Sequence, residues 1–180
     1  LITMITQFSG NREAFWVTDV YADNGTAVII YNPDPFYDLD RQVCQSFAEG
    51  LLEHGIKSVV TSPKDYPNFA DDHHLYVFCA NTYNYAPDWG VSRFIKTNHD
   101  LLKHKKVVAI TLGAGSTESA QKKMEKLIRK KSANLLASKA YWLSRPNDES
   151  KPGENNVKVA IDMARKFGQE IGARIVSLDE

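Results

Sequence analysis

The sequence predicts a doubly wound α/β domain: a five-stranded parallel sheet with helices on both faces. Three observations predict it. Short, nearly continuous apolar runs such as TAVIIY (26–31) and KKVVAITL (105–112) read as strands buried on both faces. Amphipathic stripes at helical spacing lie between such runs. The two patterns alternate along 180 residues, a length suited to one well-buried core.

Taken in order, residues 1–24 are an aromatic, polar lead-in, and 25–180 form a single domain. TAVIIY is the first central strand. Leu39, Val43, Phe47 and Leu51 then recur every four residues with Arg41, Gln45, Glu49 and Glu53 between them, an amphipathic helix that ends near Gly55. IKSVV (56–60) is the second strand, HLYVFCA (74–80) the third and KKVVAITL the fourth. Residues 86–105 read as helical, with Pro87 near the first turn, Val91, Phe94 and Ile95 on one face, and an interruption at Asn98 to Asp100. Ala120, Met124, Leu127 and Ile128 form the next core stripe, opposite Lys122, Lys123, Lys126, Arg129 and Lys130; that basic run reads as a solvated helix face. NLLASKAYWL (134–143) is the fifth strand, 144–155 a polar loop, and Val157, Ala160, Ile161, Ala164, Gly168 and Ile171 the stripe of a last helix. Parallel neighbours require crossovers, which are right-handed.

Composition narrows the function classes. The net charge is zero, so nucleic acid is not expected as a partner. Residues 1–100 nevertheless carry 6 Lys+Arg against 13 Asp+Glu, and 101–180 carry 16 against 9, a charge division along the chain. Two cysteines, Cys44 and Cys79, make neither a disulfide framework nor a metal knuckle, and a reducing, cytoplasmic location is expected. No run is apolar enough for a membrane span, while the start at Leu1 leaves room for an anchor upstream of residue 1. Adjacent His73 and His74 face opposite ways in extended chain, make a poor metal pair and fit an exposed strand-entry loop, so no metal site is expected.

Ligands of such sheets bind beyond the carboxyl ends of the strands. The loops there are YNPDPFYDLD (31–40), ANTYNYAPDW (80–89) and TLGAGSTES (111–119). Tyr83 and Tyr85 beside amide groups suit a flat ligand with a polar edge, Trp89 adds a stacking surface, and Gly113 and Gly115 permit close backbone approach. Ser116 or Thr117 is expected to cap the following helix. Read together, the three loops resemble those of the flavodoxin-like family, which implies strand order 2-1-3-4-5 and FMN as cofactor. The resemblance assigns the flavin ring to Thr82, Tyr83, Asn84, Tyr85, Leu112, Gly113, Ala114 and Gly115, and the phosphate to the first loop, including Asn32, Asp34, Tyr37 and Asp38.

The first loop departs from the family pattern. Hydroxyls and glycine would suit a phosphate at a helix N-terminus. Here there is no Ser, Thr or Gly, two prolines lack N–H donors, and Asp34, Asp38 and Asp40 carry negative charge. Asp38 is the expected N-cap, with its carboxylate at the anion position.

Two functions follow. The first is FMN-dependent electron transfer or oxidoreduction with a redox partner protein; the alternative is a domain that has lost FMN and acts as a binding or interaction module. The pattern of a receiver domain needs an Asp where this chain has Asn81, and a nicotinamide fold needs G-x-G-x-x-G after the first strand, which is absent.

Overall fold

The computed structural model describes residues 12–179. In chain order the elements are β1 (Phe15–Val17), β2 (Thr26–Tyr31), α1 (Leu39–Leu52), β3 (Lys57–Thr61), β4 (Leu75–Tyr83), β5 (Ala86–Pro87), α2 (Trp89–Thr97), α3 (His99–Leu102), β6 (Lys106–Gly113), α4 (Thr117–Arg129), β7 (Asn134–Trp142) and α5 (Asn156–Asp179), with a 3-10 turn at Tyr66–Phe69. The five expected strands are β2, β3, β4, β6 and β7. They lie in the order β3-β2-β4-β6-β7 with every neighbouring pair parallel, which is the 2-1-3-4-5 arrangement.

Two strands were not expected. β1 comes from the lead-in and adds an antiparallel edge beside β3, with Phe15 opposite Val60 and Val17 opposite Ser58. The Arg41 guanidinium sits 4.9 Å over the Phe15 ring and ties this edge to α1. β5 folds back on the end of β4, so the loop at 80–89 is a hairpin.

Alternation along β2 divides the core into two layers. Ala27, Ile29 and Tyr31 face α1 and α5, packing with Val43, Phe47, Leu51, Phe167 and Ile171. Val28 and Ile30 face α2 and α4, packing with Val91, Ile95, Met124 and Ile128. The interruption expected at Asn98 is present: its amide donates to Phe94 O at 2.8 Å where α2 ends, and α3 starts at His99. Both cysteines are free and buried in the first layer, and burial raises the Cys44 thiol well above its ordinary value. His73, expected on an exposed loop, is instead buried, with Nε2 at 2.9 Å from Phe69 O. Its neighbour His74 holds the first strand, Nδ1 accepting from Thr26 N at 3.2 Å. No helix among the described residues is long and apolar enough to cross a membrane.

α1 and α5 meet backbone to backbone. A Cβ on Gly50 would lie 2.1 Å from Arg165 O, and one on Gly168 would lie 2.1 Å from Phe47 O. Only glycine lets the two helices approach this closely, and an ion-pair cluster of Arg165 with Glu49 and Glu53 closes the rim of the contact. Gly168→Ala should therefore destabilise despite alanine's better helix propensity. The expected net cost is about 2 kcal/mol, a fall of roughly 4–8 °C in Tm by calorimetry; an unchanged or raised Tm would show that the helices separate freely.

Candidate functional site

The carboxyl ends of β2, β4 and β6 converge on a network of aspartates. Pro33 and Pro35 deny the first loop two N–H groups, and the loop's remaining donors turn inward. Asp34 Oδ1 accepts from Phe36 N at 2.7 Å and Tyr37 N at 3.0 Å, a side-chain turn of the kind aspartate favours. Asp40, the second residue of α1, accepts from Asp34 N at 2.7 Å through Oδ2 and from Arg41 N at 2.7 Å through Oδ1. The Tyr83 hydroxyl donates to Asp34 Oδ2 and joins the hairpin to the first loop.

Asn81 links this cluster to α2. Its amide donates to Asp40 Oδ2 at 3.1 Å, while its backbone N–H donates to Asp88 Oδ2 at 3.1 Å and its carbonyl accepts from Asp88 N at 2.8 Å. Asp88 is the N-cap of α2, with Oδ1 accepting from Val91 N at 2.9 Å. Asp34, Asp40 and Asp88 are 8%, 3% and 0% exposed, so these are buried carboxylates stabilised mainly by backbone donors.

Desolvation outweighs those bonds. Burial pushes the Asp40 carboxyl up to about 6 against the pull of the Asp34 and Arg41 N–H groups and the Asn81 amide. Burial likewise pushes Asp88 up to about 7 against the Val91 and Asn81 N–H groups. The Tyr83 phenol is raised, first by burial and then by its bond to the Asp34 carboxylate.

The residues assigned to phosphate lie in this loop but do not build an anion cradle. Asp38 precedes α1, as expected of a cap, yet its carboxylate makes no bond to a helix N–H; it pairs with Arg12 at 3.1 Å. The carboxylate that does take an α1 N-terminal donor, Arg41 N, is Asp40. Asn32 is buried beneath the start of α2, so close that a Cβ on Gly90 would lie 2.6 Å from its Oδ1. Tyr37 is exposed. Four loop donors, the N–H groups of Asp34, Phe36, Tyr37 and Arg41, already serve carboxylates. A phosphate does not fit this loop.

The residues assigned to the ring are brought together at the neighbouring strand ends. Thr82 pairs with Pro87 and Tyr83 with Ala86, and Asn84 and Tyr85 turn the hairpin with φ of 50° and 60°. That left-handed pair is the backbone of a two-residue hairpin turn, and it leaves the Tyr85 ring exposed. Leu112 and Gly113 are buried, whereas Ala114 and Gly115 are exposed. A Cβ on Gly113 would meet Thr117 Oγ1 at 2.5 Å and Thr82 Cβ at 2.8 Å, so glycine is required there by close packing. The Thr82 and Thr117 hydroxyls beside it are buried with no hydrogen-bond partner among the described residues. Neither expected cap of α4 forms: Ser116 is left-handed at φ 57° and makes no side-chain cap bond.

Asp88 carries part of the site with no role expected from sequence, and Asp40 and Asn81 were expected only as a charge of the first loop and a member of the 80–89 loop. An aspartate immediately before a helical stripe could have marked Asp88 as a cap. Nothing in sequence spacing distinguished Asp40 from Asp38.

No family model and no curated protein matches the chain. Solved structures do. A flavodoxin from the domain Archaea aligns with a TM-score of 0.65 at 12% identity, over 83% of this chain and 98% of that one. A WrbA-like flavodoxin from Agrobacterium tumefaciens aligns at 0.63 and 13%, over 84% and 97%. The flavodiiron protein from Giardia intestinalis aligns at 0.66 and 13%, over 87% of this chain and 37% of that longer one. At these identities the likeness establishes the fold, which is flavodoxin-like.

Because Asp40 and Asp88 hold protons in the folded chain that they release when unfolded, they favour folding below the ordinary carboxylate range. That contribution is lost as pH rises through about 6 and about 7. Urea unfolding should show stability falling between pH 4 and pH 8 from these two groups, by on the order of 6 kcal/mol, and Asp88→Asn should reduce the slope; an equal slope in the variant would remove Asp88 from the account. Tyr83→Phe should cost about 2 kcal/mol by leaving Asp34 short of a donor, readable as a lower urea midpoint.

Proposed function

We propose that this chain is a flavodoxin-fold binding module whose first loop does not take the phosphate of FMN. One observation carries the reading: Asp40 Oδ1 and Oδ2 accept from Arg41 N and Asp34 N, which puts a carboxylate of the chain itself at the N-terminus of α1. A phosphate dianion about 7 Å from even one such carboxylate meets a repulsion on the order of 5 kcal/mol, before the cost of releasing the donors. Asp34 and Asp40 then serve to hold the loop, and Asn81 and Asp88 fix its position relative to β4 and α2.

A second reading rests on the other two loops. Thr82, Tyr83, Asn84 and Tyr85, with Leu112, Gly113, Ala114 and Gly115, would hold a flavin by its ring, and the partnerless Thr82 and Thr117 hydroxyls favour a ligand with a polar edge. A flavin so held would supply electron-transfer chemistry with a redox partner protein, as in an FMN-dependent oxidoreductase. The fold it shares with flavodoxins supports this class.

Riboflavin and FMN differ only by the phosphate, so their comparison separates the readings. In titrations followed by absorbance between 350 and 500 nm and by Tm, the module reading expects no binding of either tighter than about 100 μM. The ring-held reading expects riboflavin to bind at least as well as FMN. FMN binding tenfold or more tightly than riboflavin would overturn the assignment of Asp40 to the anion position.

A further inference from the structure

The α2 and α4 face of the sheet carries a charge that neither reading uses. Residues 89–133 hold 11 Lys+Arg against 3 Asp+Glu, a net of +8, while residues 12–88 hold 4 against 12, a net of −8. Most of these basic residues lie along α2, α4 and the end of α4. Gln121 donates to Ser138 Oγ of β7 at 2.9 Å, which turns that flank of α4, including Glu118 and Glu125 at helical spacing, toward the sheet edge. On the other flank Lys131 Nζ reaches Lys96 O of α2 at 2.6 Å. Arg93 and Lys96 on α2 therefore continue into Lys123, Lys126, Lys130 and Lys131 of α4 and its end; all but Lys131 are exposed.

We propose that this face docks on an anionic lipid surface. Five of the six charges are lysines, compact hydrated point charges without the fork that recognises individual phosphates or carboxylates. The helices spend their apolar stripes on the core. Among the exposed large apolar residues only Trp89, the first residue of α2, belongs to either helix. A protein interface needs buried apolar or aromatic anchors, and single-stranded nucleic acid needs stacking rings. A broad lysine face with one tryptophan on its two helices suits the diffuse charge of lipid headgroups, where each lysine strengthens partition roughly fivefold.

The test is co-sedimentation with vesicles of phosphatidylcholine containing roughly 30% phosphatidylserine, at about 50 and about 500 mM salt. Binding is expected at low salt, is lost at high salt, and is absent with pure phosphatidylcholine. Lys123→Gln, Lys126→Gln and Lys130→Gln together should lower the partition coefficient about 100-fold, with Tm checked against the parent chain. The single Lys126→Gln should lower it about fivefold and serves if the triple variant does not fold. The paired change Lys158→Gln and Lys166→Gln, on α5 across the sheet, should have a smaller effect than the triple. Failure to sediment at low salt, parent-like binding by the α4 variants, an α5 effect as large, or tighter binding to duplex DNA at the same salt would each overturn the proposal.

Discussion

Three buried carboxylates satisfied by N–H and O–H donors are the constraint on which the carboxyl edge of this fold depends. Asp34 shapes the first loop, Asp40 closes that loop onto α1, and Asp88 starts α2, with Asn81 bonded to both Asp40 and Asp88. The bonds from Asp34 N to Asp40 and from Asn81 to Asp40 and Asp88 each join two elements. Moving β4 at Asn81 would disturb both helix starts, and moving the hairpin at Tyr83 would strip Asp34 of a donor. Buried charges tolerate such disturbance poorly, because an acceptor left without its donor bears the full desolvation cost.

The same network explains why the fold and a flavodoxin's cofactor need not go together. A helix N-terminus offers an anion several orphan N–H groups and a favourable dipole, whatever anion arrives. An aspartate from the loop or first turn arrives without the entropy cost of association, at a local concentration no free ligand matches. To replace it, a phosphate would have to expel Asp40 and Asp34 from their donors while leaving them nearby. On the order of 5 kcal/mol of repulsion per carboxylate is a large part of the ~12 kcal/mol in a nanomolar complex. The sheet beneath, where Ile29, Tyr31 and Val77 lie in the core, supplies none of these donors.

What was legible in the sequence follows from which forces act locally. The runs TAVIIY and KKVVAITL could only be buried strands, and the stripe Val43, Phe47, Leu51 could only be a covered helix face, because burial dominates there. β1 escaped notice because three residues on an edge are too few to show a period. The β4–β5 hairpin escaped because Asn84-Tyr85 is not the Asn-Gly pair that ordinarily supplies two positive φ angles. The acidic first loop was visible, and its conflict with phosphate was visible too. Which aspartate would take the helix donors was not: Asp38 and Asp40 both lie within reach of the α1 start. The backbone path through Pro33 and Pro35, closed by Asn81 from a distant strand, decides for Asp40. That partner lies 41 residues away in the chain, beyond any local pattern.

The acidic network and the lysines at the far end of α4 are electrically separate. α4 begins at Thr117, beside Gly113 and Thr82. Thirteen residues later, at Lys130, the helix has risen about 20 Å, roughly two Debye lengths at physiological salt. Asp88, pushed up to about 7, is besides partly protonated near neutral pH. Coulomb attraction across that span is thus weak, and the lysines of the last α4 turn are held by their own helix dipole. Any influence of an event at the strand ends on those lysines would have to travel mechanically, through the rigid body of α4 and its Met124 and Ile128 contacts with the sheet. A packed core of that kind resists small displacements, whereas α2, which starts at Asp88 and carries Arg93 and Lys96, joins the network to the near part of the basic face directly.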